Sequence, residues 1–137
     1  MIGLGLALAR RDRRVVALPG DGDMLMGLGS LATIGVQQPK NLAIVVLDNA
    51  HYGETGMQPS HTGAGVDFVA MALACGFRQA HAVTRIEEAA DVRKLLHAGG
   101  GPILINARIK PEEAPRVLPL RDGHAIKQRF IEAINSA

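Results

Sequence analysis

The chain has 137 residues, is 47% hydrophobic and has a net charge of +2, with one cysteine and no tryptophan. This length allows one domain with a buried core, which we expect to be aliphatic because aromatic side chains are few. The single cysteine excludes an internal disulfide framework and, with no basic segment before the apolar N-terminus, predicts a cytoplasmic protein. Long blocks of like charge and bilayer-length apolar runs are both missing, so we expect neither nucleic acid nor a membrane as a partner.

The first half of the chain alternates helical and strand patterns. The apolar residues 1–9 predict a helix, and Val15–Leu18 is an apolar run too short for a helix and typical of a buried strand. Recurring apolar residues predict a helix from Asp23 to about Val36, and Asn41–Leu47 predicts a second strand. Residues 48–66 are polar and rich in glycine, which indicates a long loop.

The second half continues the same alternation. Asp67 is predicted to cap an alanine-rich helix that Gly76 ends. A strand is expected near Gln79–Val83, and Thr84 with Glu87 has the spacing of a capping box at the start of the next helix. The last predicted elements are the strand Pro102–Ile109 and the helix Gly123–Ile134.

Apolar strands that alternate with helices are typical of an α/β fold, with a parallel sheet covered by helices on both faces. We expect residues 1–137 to form one such domain. Ligands of these folds bind at the carboxyl ends of the strands. Asp21 and Asn49 each follow a predicted strand, so we expect both at this edge of the sheet.

The turn Gly20-Asp21-Gly22 combines features of an anion site with a negative charge. Its glycines let the backbone approach a ligand, and free amides at a helix start attract anions. Asp21 would repel a diphosphate unless a cation lay between them, and Mg²⁺ is a cation that carboxylate and amide oxygens bind. Asn49 would supply the second oxygen, and Asp23 would cap the helix or line the same site. The alternative is that both segments are ordinary turns.

Gly20-Asp21-Gly22 followed by Asn49 resembles the diphosphate-binding motif of thiamine diphosphate (ThDP) enzymes, and the resemblance extends over residues 3–108. The loop of residues 46–59 resembles more narrowly the subgroup that decarboxylates phosphonopyruvate and sulfopyruvate. The elements shared with this subgroup are Asp48-Asn49, Tyr52-Gly53 and Thr55-Gly56, with Gln58-Pro59 nearby. The resemblance implies the ThDP-binding fold.

The resemblance also implies a role for individual residues. Asp21 and Asn49 would bind Mg²⁺ through their side-chain oxygens, and His51 through its main-chain carbonyl. The residues expected to contact the diphosphate or line its pocket are Gly20, Gly22, Asp23, Met24, Tyr52 and Gly53. Catalytic residues are not assigned by the motif. His51 and His61 lie in the same loop, and imidazole is the commonest side chain for proton transfer in enzymes, so they are candidates for this role.

By this resemblance the chain is the diphosphate- and Mg²⁺-binding half of a ThDP-dependent carboxy-lyase acting on an anionic 2-oxo acid. The activating glutamate of this family lies in a pyrimidine-binding half, usually contributed by a neighbouring subunit, and no residue here is assigned to it. We therefore expect a second subunit or domain as partner and an oligomeric enzyme. The family also places an apolar residue under the cofactor about 25 positions before the motif, so the domain is predicted to be shortened at its N-terminus.

Two other functions remain open from the residues alone. A receiver-like signalling module also places Asp residues and Mg²⁺ at strand ends, and Ile109-Lys110-Pro111 resembles the terminal Lys-Pro of such modules. A non-catalytic regulatory partner could keep the fold without the chemistry. ThDP binding would separate the signalling module from the other two functions.

Overall fold

Helices and strands alternate along residues 1–112, 115 and 117–136, which are the residues that the computed structural model describes. The helices are α1 (Ile2–Ala9), α2 (Asp21–Met26), α3 (Ser30–Gln37), α4 (Phe68–Ala74), α5 (Ala89–Ala98) and α6 (Gly123–Asn135). The strands are β1 (Val15–Ala17), β2 (Leu42–Asp48), β3 (His51–Tyr52), β4 (Gln58–Pro59), β5 (Gln79–Val83) and β6 (Ile103–Arg108). Among these helices, none combines the length and the apolar character needed to cross a bilayer.

Four strands form one parallel sheet in the order β1-β2-β6-β5. Val15 pairs with Leu42, Ala43 with Ile103, and Ile103 also with Gln79. The crossover between β2 and β6 brings the last strand into the middle of the sheet, and all four strands end at the same edge. The predicted parallel α/β architecture is confirmed.

The core has two layers because alternate residues of β2 point to opposite faces of the sheet. Leu42, Ile44 and Val46 belong to the larger layer, which α1, α3 and α4 cover, and Ala43 and Val45 belong to the smaller layer under α5. The helical residues packed in these layers are Leu4, Ala7, Leu31, Ile34, Phe68 and Ala72 on one side and Val92, Leu95 and Leu96 on the other. Helices therefore cover both faces, as predicted.

A glycine sets the distance between α3 and the end of α4. A Cβ built on Gly35 would lie 1.7 Å from the carbonyl oxygen of Cys75. Any side chain at this position would force the two helices apart. Gly35 is therefore required for this close contact in the larger core layer.

The structure corrects the prediction of one helix from Asp23 to Val36. Two helices occupy this stretch: α2 ends at Met26 and α3 begins at Ser30. Gly27 and Gly29 lie in the gap, and glycine is among the poorest helix formers. The continuous apolar pattern concealed the break, because both helices turn their apolar residues toward the same core.

Two predicted helix caps have different outcomes. Asp67 caps α4 as predicted, since its carboxylate accepts hydrogen bonds from the amides of Val69 and Ala70. The capping box of Thr84 with Glu87 is wrong. Glu88, not its neighbour, accepts from the amide of Thr84 at 2.8 Å, because the chain first makes a short 3₁₀ turn at Ile86–Glu88.

Candidate functional site

The turn after β1 lies beside the end of β2. Gly20 forms a β-bridge with Leu47, and the amide of Leu47 donates to the carbonyl of Pro19 at 2.9 Å. Helix α2 begins at Asp21, immediately after this bridge. The two predicted ligand-bearing segments are therefore neighbours at the carboxyl edge of the sheet.

A cavity of about 370 Å³ lies at this edge, between the start of α2 and the loop after β2. The predicted site residues that line it are Gly20, Asp21, Gly22, Asp23, Asn49, His51, Tyr52 and Gly53. Met24 instead lines an adjacent, mostly apolar cavity. His61 lines a third cavity together with His51 and Arg108. The structure thus brings together most of the predicted set, but not Met24 or His61.

The first turn of α2 uses some of its polar groups internally. The amide of Gly20 donates to the carboxylate of Asp23 at 3.0 Å, and the amide of Met24 donates to the carbonyl of Gly20 at 3.1 Å. Asp23 therefore caps the helix, which is one of its two predicted roles. Contacts of Asp23 and Met24 with a diphosphate stay predictions.

Gly22 and Tyr52 meet at the wall of the cavity. A Cβ on Gly22 would lie 3.0 Å from Cδ1 of Tyr52, closer than side chains pack without a shift. The hydroxyl of Tyr52 lies 3.0 Å from Nδ1 of His61. A glycine at position 22 thus allows the ring to lie here, and Tyr52 connects the cavity to His61.

Asn49 and His51 form a tight turn after β2. Oδ1 of Asn49 accepts a hydrogen bond from the amide of His51 at 2.8 Å, as a turn residue would. An amide oxygen has a second lone pair, so Asn49 can bind a cation and keep this turn. His51 pairs with Pro59 across β3 and β4, and the adjacent hydrogen bond runs from the amide of Ser60 to the carbonyl of Ala50. His51 and Pro59 are therefore a non-hydrogen-bonded pair, and the carbonyl of His51 points away from β4.

Asp21 is a buried carboxylate whose hydrogen-bond partners are uncharged. It is 2% exposed, and its Oδ2 lies within hydrogen-bond distance of the hydroxyls of Ser60 and Thr62. Within the described part of the chain, no basic side chain forms an ion pair with Asp21, and its Oδ1 accepts no hydrogen bond. Burying a carboxylate without a counter-charge is costly, so these surroundings suit an added cation.

Asp48, at the end of β2, is buried to 1% exposure but has a positive partner. Its Oδ2 accepts from Arg108 and from the amide nitrogen of Asn106, both at 3.0 Å. Its Oδ1 accepts from the hydroxyl of Thr62 at 2.8 Å and from the backbone amide of Ala50 at 3.0 Å. Burial alone raises the pKa of Asp48, but these hydrogen bonds and the charge of Arg108 outweigh it and hold the pKa below its ordinary value.

The sequence did not single out the hydroxyls of Ser60 and Thr62. They lie 39 and 41 positions from Asp21 along the chain, and nothing in the local pattern distinguishes them from other loop residues. Asp48 carried a weak signal, because it is an ionisable residue at the end of an apolar strand. Its pairing with Arg108 depends on the placement of β6 beside β2, which the order of elements alone does not give.

The donor set at the cavity is small and made of oxygen atoms. In the residues described, no three His, Cys, Asp or Glu side chains lie together in a way that could hold a metal. The predicted Mg²⁺ site uses only one such side chain, Asp21, with the amide oxygen of Asn49 and the carbonyl of His51. Mg²⁺ commonly keeps several waters and takes phosphate oxygens besides one or two carboxylates, so the residues present fit it.

Comparison with known proteins adds an independent finding. Residues 2–107 match the family described as thiamine pyrophosphate enzyme, C-terminal TPP binding domain, TPP being another name for ThDP. The chain is 44% identical over 110 residues to a phosphonopyruvate decarboxylase of Streptomyces viridochromogenes. It is 40% identical over 136 residues to the sulfopyruvate decarboxylase subunit beta of Methanothermobacter thermautotrophicus. The first match covers 80% of this chain and 27% of the relative, and the second covers 99% and 70%.

Solved structures agree with the sequence matches. A ThDP-dependent 4-hydroxybenzoylformate decarboxylase of Rhodococcus jostii RHA1 superimposes with a TM-score of 0.66 at 25% identity, over 82% of this chain and 23% of that one. The resemblance found in the sequence is thereby confirmed, for the family and for the phosphonopyruvate and sulfopyruvate decarboxylase subgroup. The chain belongs to the thiamine pyrophosphate enzyme family, as a C-terminal TPP-binding domain.

Proposed function

We propose that this chain anchors the diphosphate of ThDP through Mg²⁺, as part of a decarboxylase of phosphonopyruvate- or sulfopyruvate-like 2-oxo acids. The observation that carries this proposal is the environment of Asp21. A carboxylate that is 2% exposed, lines the cavity and has only hydroxyl partners lacks a counter-charge within the described chain. A divalent cation bridging Asp21 to a diphosphate would balance both negative groups.

The residues around the cavity would divide the task. Asp21 and Asn49 would hold Mg²⁺ by side-chain oxygens, and His51 would add its main-chain carbonyl. The walls that would take the diphosphate are formed by Gly20, Gly22, Asp23, Tyr52 and Gly53. When bound, ThDP supplies the stabilisation of the carbanion that remains after CO₂ leaves a 2-oxo acid, while the protein fixes the cofactor in position.

Proton transfer would use the histidines of the same loop. His51 lines the cavity directly, and His61 reaches it through the hydroxyl of Tyr52. Imidazole gains and loses a proton near neutral pH, so either residue can hold a proton beside the cavity. Neither is assigned to a specific step.

A partner would complete the enzyme. The relatives named as beta subunits belong to enzymes with more than one kind of subunit, which supports a partner for this chain. We propose that the partner, as a subunit or a domain, carries the pyrimidine-binding half and the activating glutamate. An oligomer that holds both halves would then be the active form.

The comparisons bear differently on the two alternative functions, the receiver-like signalling module and the non-catalytic partner. The family match over residues 2–107 is to a TPP-binding domain, and this argues against a receiver-like signalling module. A non-catalytic partner with the same fold has no specific observation in its favour. Assays of binding and of decarboxylation separate it from the proposed function.

Calorimetric titration of ThDP into the chain, with and without Mg²⁺, tests the anchoring role. We expect binding by the wild type only with Mg²⁺, and no binding by Asp21→Ala under either condition. Asp12→Ala is the matched control, because Asp12 is an exposed aspartate that does not line the cavity, and its loss should leave binding unchanged. Equal binding with and without Mg²⁺ would contradict the proposal.

The enzymatic role needs the chain together with a protein that carries the pyrimidine-binding half. CO₂ release from sulfopyruvate and phosphonopyruvate would be measured for the assembled pair, with Mg²⁺ and ThDP present. CO₂ release that requires both chains would support the proposed decarboxylase function. Binding of Mg²⁺ and ThDP without any release, from either substrate, would favour the non-catalytic partner.

A further inference from the structure

Two buried hydroxyl side chains contact Asp21. Ser60 is 2% exposed and Thr62 is 9% exposed, and their oxygens are 2.9 Å apart. Both contact Oδ2 of Asp21, and Thr62 also lies 2.8 Å from Oδ1 of Asp48. The pair therefore connects the two buried carboxylates at this edge of the sheet.

The number of available protons decides which of these contacts are hydrogen bonds. Two hydroxyls supply two protons, and one hydroxyl cannot donate to both carboxylates at once. The geometry favours donation from Ser60 to Asp21 and from Thr62 to Asp48, since Thr62 is 3.3 Å from Asp21 but 2.8 Å from Asp48. Asp21 thus accepts one hydrogen bond, from Ser60, and packs against the oxygen of Thr62, and both contacts fall on Oδ2.

The segment that carries the two hydroxyls is itself fixed. The amide of Ser60 donates to the carbonyl of Ala50 at 2.7 Å, and the amide of Gly63 donates to the carbonyl of Ser60 at 3.1 Å in a 3₁₀ turn. Thr62 is held by Asp48, which Arg108 and Asn106 hold in turn. These contacts leave Asp21 little freedom to rotate.

From this arrangement we infer that Ser60 and Thr62 are positioning residues for the cation at Asp21. By occupying Oδ2 they fix the carboxylate and leave Oδ1 for the metal. This inference rests on the proposed function, since it concerns the same Mg²⁺ site. It adds two residues from a third chain segment to a site otherwise built from the ends of β1 and β2. Neither residue lines the cavity at the start of α2.

The test measures Mg²⁺ affinity by calorimetry, as Mg²⁺ is titrated into the full chain in the presence of excess ThDP. Ser60→Ala removes the donor to Asp21, and Thr62→Val removes the second hydroxyl at nearly constant volume. We expect Mg²⁺ to bind about tenfold more weakly in Ser60→Ala, which loses a hydrogen bond to the charged Asp21. The loss should be smaller in Thr62→Val, because this hydroxyl donates to Asp48 and only packs against Asp21. Thr62→Ser restores the hydroxyl and should restore the affinity. Thr33→Val, at an exposed position of α3, is the matched control and should bind as wild type.

A separate measurement distinguishes positioning from a structural role. Circular dichroism in EDTA reports whether each variant is folded at the temperature of the titration. A purely structural role lowers the unfolding temperature but leaves the Mg²⁺ affinity of the folded variant unchanged, and that result would overturn the inference. Two variants that both fail to fold would also overturn it, because the hydroxyls would then be needed for the fold itself.

The outcomes also separate this inference from the proposed function. If the wild type binds ThDP only with Mg²⁺ and the folded variants keep wild-type Mg²⁺ affinity, the positioning role fails and the proposed function stands. If the wild type shows no dependence on Mg²⁺, the proposed function fails and the inference fails with it. A loss of affinity in Thr62→Val that Thr62→Ser reverses supports both.

Discussion

Asp21 and Asp48 lie at the ends of two adjacent strands, and the same threonine contacts both, yet their surroundings differ in charge. Asp48 has the guanidinium of Arg108, two side-chain donors and a backbone amide. Asp21 has hydroxyls only. Both carboxylates have lost most of their contact with water, so each needs compensation from the protein or from a ligand.

The difference supports the proposal that Asp48 is a structural carboxylate and Asp21 a cation-binding one. The chain itself supplies Asp48 with a positive charge and with hydrogen-bond donors to both oxygens. Asp48 also orders the turn after β2, because it accepts a hydrogen bond from the amide of Ala50. Asp21 is held in place but not neutralised, so its charge remains available to a cation. Substitutions at the two positions should therefore affect different properties, stability for Asp48 and metal binding for Asp21.

The largest effect is expected from Asp48→Ala. This change removes the acceptor for the buried groups of Asn106 and Thr62, so we expect the free energy of unfolding in EDTA to fall by about 3 kcal/mol. Urea denaturation measures the loss. Asp12→Ala, an exposed aspartate, should show no measurable change. A loss in Asp48→Ala no larger than in this control would mean that the contacts of Asp48 do not stabilise the fold.

The next effect concerns Asp21→Asn. Asparagine keeps the shape, and its amide oxygen can accept from the hydroxyl of Ser60, so the free energy of unfolding in EDTA should change little. Mg²⁺ with ThDP at about 100 times its Kd should stabilise the wild type by about 2.7 kcal/mol and this variant by almost nothing. Thermal unfolding with and without both ligands measures the difference. Stabilisation of the variant equal to wild type would remove the distinction between the two aspartates.

Acidification should cause a smaller loss of folding stability, through the protonation of Asp48. The pKa of Asp48 is lower in the folded chain than its ordinary value, so its ionised form favours folding. This contribution is fully present above the unfolded pKa, about 4, and is lost as the pH falls through the folded value. Urea denaturation across this range should show the stability advantage of wild type over Asp48→Asn shrinking below about pH 4. An advantage that stays constant would contradict the assignment.

The smallest effect is expected from Gly22→Ala. The added methyl group would lie 3.0 Å from the ring of Tyr52, so the ring must shift and ThDP with Mg²⁺ should bind about fivefold more weakly. Tyr52 is the single tyrosine and the chain has no tryptophan, so its fluorescence reports this position directly. Gly5→Ala, where a Cβ meets nothing within 4 Å, is the matched control. Unchanged fluorescence and affinity would show that the contact is easily relieved.

The sheet, its helices and the edge where the ligand segments meet could be predicted from the sequence, because these depend on the periodicity of apolar residues and on short motifs. The break between α2 and α3 could not, because both helices bury the same stripe across Gly27–Gly29. The cap at Glu88 was missed by one position. A capping pattern predicts the capping residue from its spacing in the sequence. Here a 3₁₀ turn moves the cap by one residue, and this turn depends on the surrounding contacts.

At the site, the sequence suggested Asp21 and Asn49 because both follow apolar strands. It gave no reason to choose Ser60 and Thr62, which meet Asp21 only after the loop folds back over the edge of the sheet. Asp48 illustrates the intermediate case. Its position at a strand end was visible, but its role depends on Arg108, 60 positions later in the chain, whose strand is inserted next to β2.

The contact of Thr62 with both carboxylates has a consequence for how the loop can evolve. Residues 53–57 connect β3 to β4, and the first three of them line the cavity. The length of this connection can therefore change only after residue 55, as long as the strand pair reforms. Ser60 and Thr62 must stay two positions apart, because their hydroxyls face different carboxylates from one rigid turn. Insertions should therefore accumulate before Ser60 and be excluded between Ser60 and Thr62, although all of these residues lie in the same loop.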